Sequence, residues 1–213
     1  MAISLYDVSV AAFLQTVGGV AGFLERGLAH CQDNGIDPQE IVTSKMCEDM
    51  FDFRFQVISV AHHSLGAIEG AKAGVFSPGG DQTAQDYPAL VALIKDTHAK
   101  LSALSRDEVN ALEGKDVFFE FRGTKIPFTA ENFLMSFSLP NLHFHATTAY
   151  DILRTKGELA ASLGLTDPAA TDDAILDAMV AHPVLVERPI VAGPGGTAVC
   201  RPVEAVDELL VSP

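Results

Sequence analysis

Apolar side chains recur at helical spacing in four long runs, separated by capping and turn residues. Ser4 with Asp7 three positions on resembles a capping box. Val10, Phe13, Leu14, Val17, Val20, Ala21, Leu24 and Leu28 then share a stripe, which predicts a long amphipathic helix ending before Asn34-Gly35. Gly18, Gly19 and Gly22 inside it each cost about 1 kcal/mol relative to alanine, so a second helix is expected to approach closely there. Asp37-Pro38 starts a short helical turn. A second long helix is predicted from about Asp49 to Ala73, with two apolar stripes. Met50, Phe53, Val57, Val60, Ala61, Ser64 and Ile68 form one, and Phe51, Phe55, Ile58 and His62 form the other. A helix apolar on two faces is buried on both, either centrally in a bundle or against a second subunit.

Ser77-Pro78-Gly79-Gly80 reads as a loop. Pro88 opens a third helix with Leu90, Leu93, Ile94, Thr97, Leu101 and Leu104, and Ser105 with Glu108 caps a short one after it. Val117 to Phe121 and Thr124 to Phe128 predict a β-hairpin turning at Arg122-Gly123. Thr129 is the expected N-cap of a last long helix reaching Lys156, kinked or divided by Pro140. Residues 1–157 thus read as a mainly α unit, a four-helix bundle with a small β-hairpin insertion.

After Gly157 the pattern changes. Thr171 or Asp172 caps a short helix carrying Ile175, Leu176 and Met179. Val184 to Val186, Ile190 to Ala192 and Thr197 to Cys200 are extended in character, Gly193-Pro194-Gly195-Gly196 is a turn, and Pro202 begins a last helix. Residues 158–213 therefore read as a small α/β unit, a β-hairpin flanked by helices. A unit of that size is marginal alone and is expected to lean on the bundle or on a second chain.

Composition narrows the function classes. The 213 residues carry 14 Lys+Arg against 28 Asp+Glu, a formal charge of −14. That argues against nucleic acid and anionic membrane as partners, since both are held by clustered positive charge. With 48% hydrophobic and 20% charged residues, the chain reads as a soluble globular protein. The uncharged stretch Val8 to Leu24 nears the roughly 20 apolar residues of a membrane span. It contains Ser9, Gln15, Thr16 and several glycines, and Asp7 stands where a signal peptide carries Lys or Arg, so it reads as a buried helix. Cys31, Cys47 and Cys200 are odd in number and widely spaced, unlike a disulfide framework or a zinc ribbon, and suit a reducing cytoplasm.

Histidines lead the candidate chemistry. His143 and His145 lie about 200° apart on a helix, so they cannot face one site together. His145 shares a stripe with Phe137, Thr148 and Ile152 and is expected inside. Opposite His62 or His63, it would hold a divalent transition metal through imidazole nitrogen, with Glu69 or Asp49 as oxygen donors. The alternative is a set of hydrogen-bonded core histidines that specify packing. Cys31 and Cys47 lack a Cys-x-x-Cys partner and read as small buried hydrophobes. The sequence has no Gly-x-Ser-x-Gly elbow, Walker loop or Gly-x-Gly-x-x-Gly after a strand. Arg188 and Arg201 each precede proline in or beside an extended segment. Across a hairpin they would converge on an oxyanion such as arsenate, phosphate or sulfate, the alternative being solvated surface arginines.

Three stretches carry a resemblance: Asp49-Met50-Phe51 with Phe55-Gln56-Val57, His62-His63-Ser64-Leu65-Gly66 with Ala73-Gly74-Val75-Phe76-Ser77-Pro78, and the whole helix from Leu139-Pro140-Asn141 to Asp151-Ile152-Leu153-Arg154. They resemble the DUF1993 family of the DinB-like helical superfamily. The resemblance implies a four-helix bundle, often a homodimer, whose relatives sometimes bind a metal through three histidines. The His-x-x-x-His pair usual there is missing from this sequence. A second resemblance covers about residues 158–211, through Leu163-Gly164-Leu165, Leu176-Asp177-Ala178-Met179, His182-Pro183-Val184-Leu185, Arg188-Pro189-Ile190-Val191 and Cys200-Arg201-Pro202. These are similar to the C-terminal part of the glutaredoxin-linked arsenate reductases, which implies a partial thioredoxin-like unit. It also implies oxyanion contacts from Arg188 and Arg201, and a cis bond before Pro189. That family's nucleophilic cysteine sits on an N-terminal strand and helix outside the matching stretch, and Cys200 matches a different position. The sequence thus reads as a dimeric helical scaffold without established catalysis, paired through the second apolar face of its second long helix. Two alternatives stand beside it: a metal-dependent bundle enzyme using His62 or His63 with His145, and oxyanion binding or vestigial arsenate reduction through Arg188 and Arg201.

Overall fold

The computed structural model describes residues 3–79, 85–156, 190–193 and 196–199. The chain divides into two units, Met1–Lys156 and Gly157–Pro213.

In the first unit, α1 (Leu5–Val8) begins at a reciprocal capping box. The Ser4 hydroxyl accepts from the Asp7 amide at 3.3 Å, and the Asp7 carboxylate accepts from the Ser4 amide at 3.4 Å. A break at Ser9 leads into α2 (Val10–Asn34), which Gly35 ends in the left-handed conformation at φ +69°. Together these helices are long and apolar enough to cross a membrane by length and composition. The predicted stripe nevertheless faces protein: Val10, Phe13, Val17, Val20 and Leu24 are buried. The close approach expected at three glycines occurs elsewhere. Gly18 meets only the His98 ring at ordinary contact, and Gly19 faces open space. Gly27, one helical face away, packs directly under Tyr87 and Leu153.

Asp37 caps α3 (Pro38–Val42), and its carboxylate accepts from the Gln39 amide at 3.0 Å. The second long helix starts four residues later than the apolar pattern suggests, because Asp52 serves as its N-cap, accepting from the Phe55 amide at 3.0 Å. It runs as α4 (Phe53–Ala61), a π-helical turn (His62–Gly66) and α5 (Ala67–Ala73). Asp86 and Pro88 start α6 (Tyr87–Ser102), and Ser105 caps α7 (Arg106–Asn110). β2 (Asp116–Phe121) and β3 (Thr124–Thr129) form the predicted antiparallel hairpin. Its two turn residues, Arg122 at φ +49° and Gly123 at φ +80°, both have the left-handed backbone that matches strand twist. A short strand without a sequence signal, β1 (Val75–Phe76), adds in parallel to β2, giving the order β1-β2-β3.

Thr129 stands at the N-cap of α8 (Ala130–Asn132), which passes through a second π-helical turn (Phe133–Ser138) into α9 (Leu139–Lys156). Pro140 explains this irregularity. It offers no N–H to the carbonyl four residues back and its ring clashes with it, so the helix widens in the turn before it. α2 packs against α6 and α9, and α4 packs against the same two, so the four long helices close on one core. Phe13, Phe53, Phe133, Ile94 and Ile152 are fully buried within it, each contributing about 1.5–3 kcal/mol of apolar burial.

In the second unit, β4 (Ile190–Gly193) pairs antiparallel with β5 (Gly196–Val199), Ile190 opposite Val199 and Gly193 opposite Gly196. The expected hairpin is therefore present. Arg188, Arg201 and the helices expected beside them lie outside the described residues.

Candidate functional site

In the second apolar stripe of α4, Phe55 meets the His145 ring of α9 edge-on at 5.8 Å, but the stripe is not sealed there. Phe55, Ile58 and His62 line a cavity of about 660 Å³, which reaches across to Phe76 on β1, Phe119 on β2 and Phe137 in the second π turn. Sequence periodicity registers such a face as buried, but the pattern does not distinguish a cavity wall from a helix or a subunit on the other side. Phe51, ahead of the N-cap, stacks on Phe55 at 4.2 Å between ring centroids and is 66% exposed. The far wall is aromatic, with Phe119 and Phe137 at 4.8 Å, and Phe76 and Phe137 are each backed by the core ring of Phe133 at 5.0 Å and 5.7 Å.

Three histidines line this cavity together. His62 stacks on Phe76 at 4.3 Å, and the His63 and His145 rings lie nearly parallel at 5.6 Å. His145 faces in and His143 is exposed, as the helical stripe predicts. The His62 Nε2–H donates to the Ser77 carbonyl at 2.9 Å. His145 Nδ1–H donates to the Gln56 side-chain oxygen at 2.8 Å. His63 Nδ1 is buried without a hydrogen-bond partner. Burial removes water from all three rings and disfavours their charged forms. It pulls His63 down to about 3, helped by the neighbouring His62 and His145, and His145 down to about 4; His62 is lowered as well. At neutral pH the cavity therefore presents three uncharged imidazoles.

Neutral imidazole is the form that ligates metals, so ligation here turns on where the donor atoms stand. Among the described residues, no three His, Cys, Asp or Glu side chains stand close enough to share an ion. Two of the imidazoles already commit a nitrogen to Ser77 and Gln56, and Glu69 and Asp49 are exposed and do not line the cavity. The carboxylate that does line it, Asp52, is paired with Arg54 at 2.9 Å. The residues present do not fit a three-ligand metal centre.

Of the cysteines, Cys31 and Cys47 lie among the described residues. Cys31 is buried in the core, and the exposed Cys47 has its thiol pKa raised by desolvation and by the Asp49 carboxylate, the opposite of what a nucleophile needs. Gln56 has no place among the residues that composition or spacing singles out for chemistry. It is 2% exposed on the buried face of α4, beside Phe53, Val57 and Val60, with Ser59 the other buried polar side chain of that helix. A lone amide in a buried stripe is the signal that marks it, because a buried polar group requires partners.

Comparison with known proteins gives two different relationships. The profile of the family described as "Domain of unknown function (DUF1993)" matches residues 5–162. Among solved structures, a DinB family member protein from Shewanella denitrificans superposes with a TM-score of 0.58 at 20% identity, covering 88% of this chain and 95% of that one. This likeness concerns the fold. Among curated proteins, an arsenate reductase from Rhizobium meliloti is 48% identical over 63 residues, 30% of this chain and 45% of its own length. An arsenate reductase from Escherichia coli is 48% identical over 59 residues, 28% of this chain and 42% of its own. The chain thus spans less than half the length of these relatives.

Proposed function

The chain belongs to the DUF1993 family, whose profile covers residues 5–162, and on that footing we propose that its helical unit binds a small, largely apolar molecule in the histidine-lined cavity. One observation carries this reading: both π turns and the small sheet contribute walls to a single cavity of about 660 Å³. π turns recur at functional sites, and pockets for small ligands span about 300–1,000 Å³ with apolar linings and few polar groups. The direct test is thermal unfolding with and without toluene. Toluene raises the midpoint of the wild type, and Ile58→Trp, which fills the cavity from the α4 wall, abolishes that rise while keeping the helical circular dichroism. No rise in the wild type, or an equal rise in the variant, overturns the reading.

Pairing of two chains is part of the same proposal. Phe51 and Phe144, in ring contact with Phe55 and His145 of the cavity wall, are 66% and 57% exposed, and covering them would bury apolar surface. Light scattering at micromolar concentration is expected to give twice the mass of one chain; a single-chain mass contradicts pairing.

A second reading concerns the C-terminal unit and is supported by the likeness to proteins named arsenate reductase. Arg188 and Arg201 would hold an oxyanion by charge-assisted hydrogen bonds. Calorimetry with arsenate is expected to register binding that Arg188→Ala or Arg201→Ala weakens. Absence of heat with the wild type removes this reading.

A further inference from the structure

The polar side of the cavity is set by a short relay that starts in the backbone. The Gln56 side-chain amide donates through Nε2 to the Phe51 carbonyl at 3.1 Å. That contact fixes which end of the amide is which, because the reversed amide would set two oxygens against each other. Gln56 Oε1 therefore faces His145 and accepts the Nδ1–H at 2.8 Å. An uncharged imidazole has one ring proton, so with Nδ1 protonated, the lone pair lies on Nε2. Burial keeps the ring uncharged down to about pH 4. Around it the cavity is aromatic, with Phe55 meeting the His145 ring edge-on at 5.8 Å and Phe76, Phe119 and Phe137 also on its lining. Flat apolar walls favour flat apolar ligands through ring packing. A charged ligand would lose its hydration beside three neutral imidazoles, and of the two cations on the cavity's lining Arg54 is paired with Asp52 while Lys45, at the exposed rim, donates to the Glu48 carbonyl.

We propose that the cavity takes an uncharged aromatic molecule bearing a hydroxyl or ring N–H, and that His145 Nε2 accepts that hydrogen, with Gln56 as the residue that holds the tautomer. The inference rests on the cavity being a binding site, and it adds the ligand class and the acceptor atom. Phenol and benzene, titrated separately into the full-length protein, distinguish the two claims. Both bind, and phenol binds about five- to tenfold more tightly, the increment of one neutral hydrogen bond. In His145→Phe the preference for phenol disappears and benzene still binds. Nitrogen-15 spectra of the wild-type histidines give an independent reading that needs no variant: His145 carries its proton on Nδ1, and its Nε2 resonance moves with phenol and stays in place with benzene. Equal binding of phenol and benzene, or a proton on Nε2, overturns the inference and leaves the cavity as a binding site. If neither probe binds, the binding reading falls and this inference falls with it.

Discussion

Gly27 and Gln56 each decide something through a single side chain, or the lack of one. A methyl group on Gly27 would meet Leu153 Cδ2 at 3.0 Å and run into the Tyr87 hydroxyl, which donates to the Leu24 carbonyl at 3.1 Å. Gly27→Ala is expected to destabilise the protein by about 1–3 kcal/mol, the usual cost of overpacking. Urea denaturation measures it, and an unchanged midpoint would mean that Tyr87 and Leu153 give way freely. The buried histidines make a further prediction, with a definite sign. His63 and His145 are held at about 3 and about 4, well below the ordinary 6.5 that both regain on unfolding. Between those values the unfolded chain binds more protons, so stability is full above about pH 6.5 and declines as pH falls toward the folded values. The decline is at most about 1 kcal/mol per pH unit for each histidine, after allowing for partial exposure. Urea midpoints that match at pH 7.5 and pH 5.5 would contradict the desolvation of these rings. His145 was legible from its stripe with Phe137, Thr148 and Ile152, whereas the relay through Gln56 joins residues 89 positions apart, and no local pattern encodes that contact.

At the scale of elements, capping and periodicity account for most of what the sequence made legible. Ser4, Asp37, Pro88 and Ser105 start helices where their side-chain chemistry says they should, and the hairpin turns at Arg122-Gly123. The irregular elements are a different matter. Pro140 announced a disturbance in the last helix without revealing that it takes the form of a π turn, and no proline marks the first π turn at His62–Gly66. There the local sequence competes with tertiary contacts, His62 being tied to Ser77 and stacked on Phe76. β1, two residues long, is defined by its pairing with β2 and has no pattern of its own. The hairpin turn offers the cleanest check at this scale. Gly123 sits at φ +80° with open space around it, so Gly123→Ala isolates the backbone cost. A loss of about 1–2 kcal/mol is expected; a neutral outcome would mean that the turn readily changes type.

For the whole molecule, the helical unit builds a closed core and a histidine-lined cavity beside it, and the second apolar face of α4 connects the two. The double stripe correctly signalled that this helix has two apolar faces, but only the tertiary arrangement reveals that the second is lined across from Phe76, Phe119 and Phe137. The C-terminal unit was legible as a separate piece because its turn and extended segments break with the helical pattern, and β4 and β5 follow that reading. The proposed meeting point of the helical unit and its ligand is this cavity. Methyl-labelled isoleucine tests it most directly, since Ile58 lines the cavity while Ile94 and Ile152 are sealed in the core. On titration with toluene, the Ile58 methyl signal is expected to shift in a saturable manner and to show contacts to the added ring, with Ile94 and Ile152 unmoved. Shifts spread equally over all three, or none at Ile58, would contradict it.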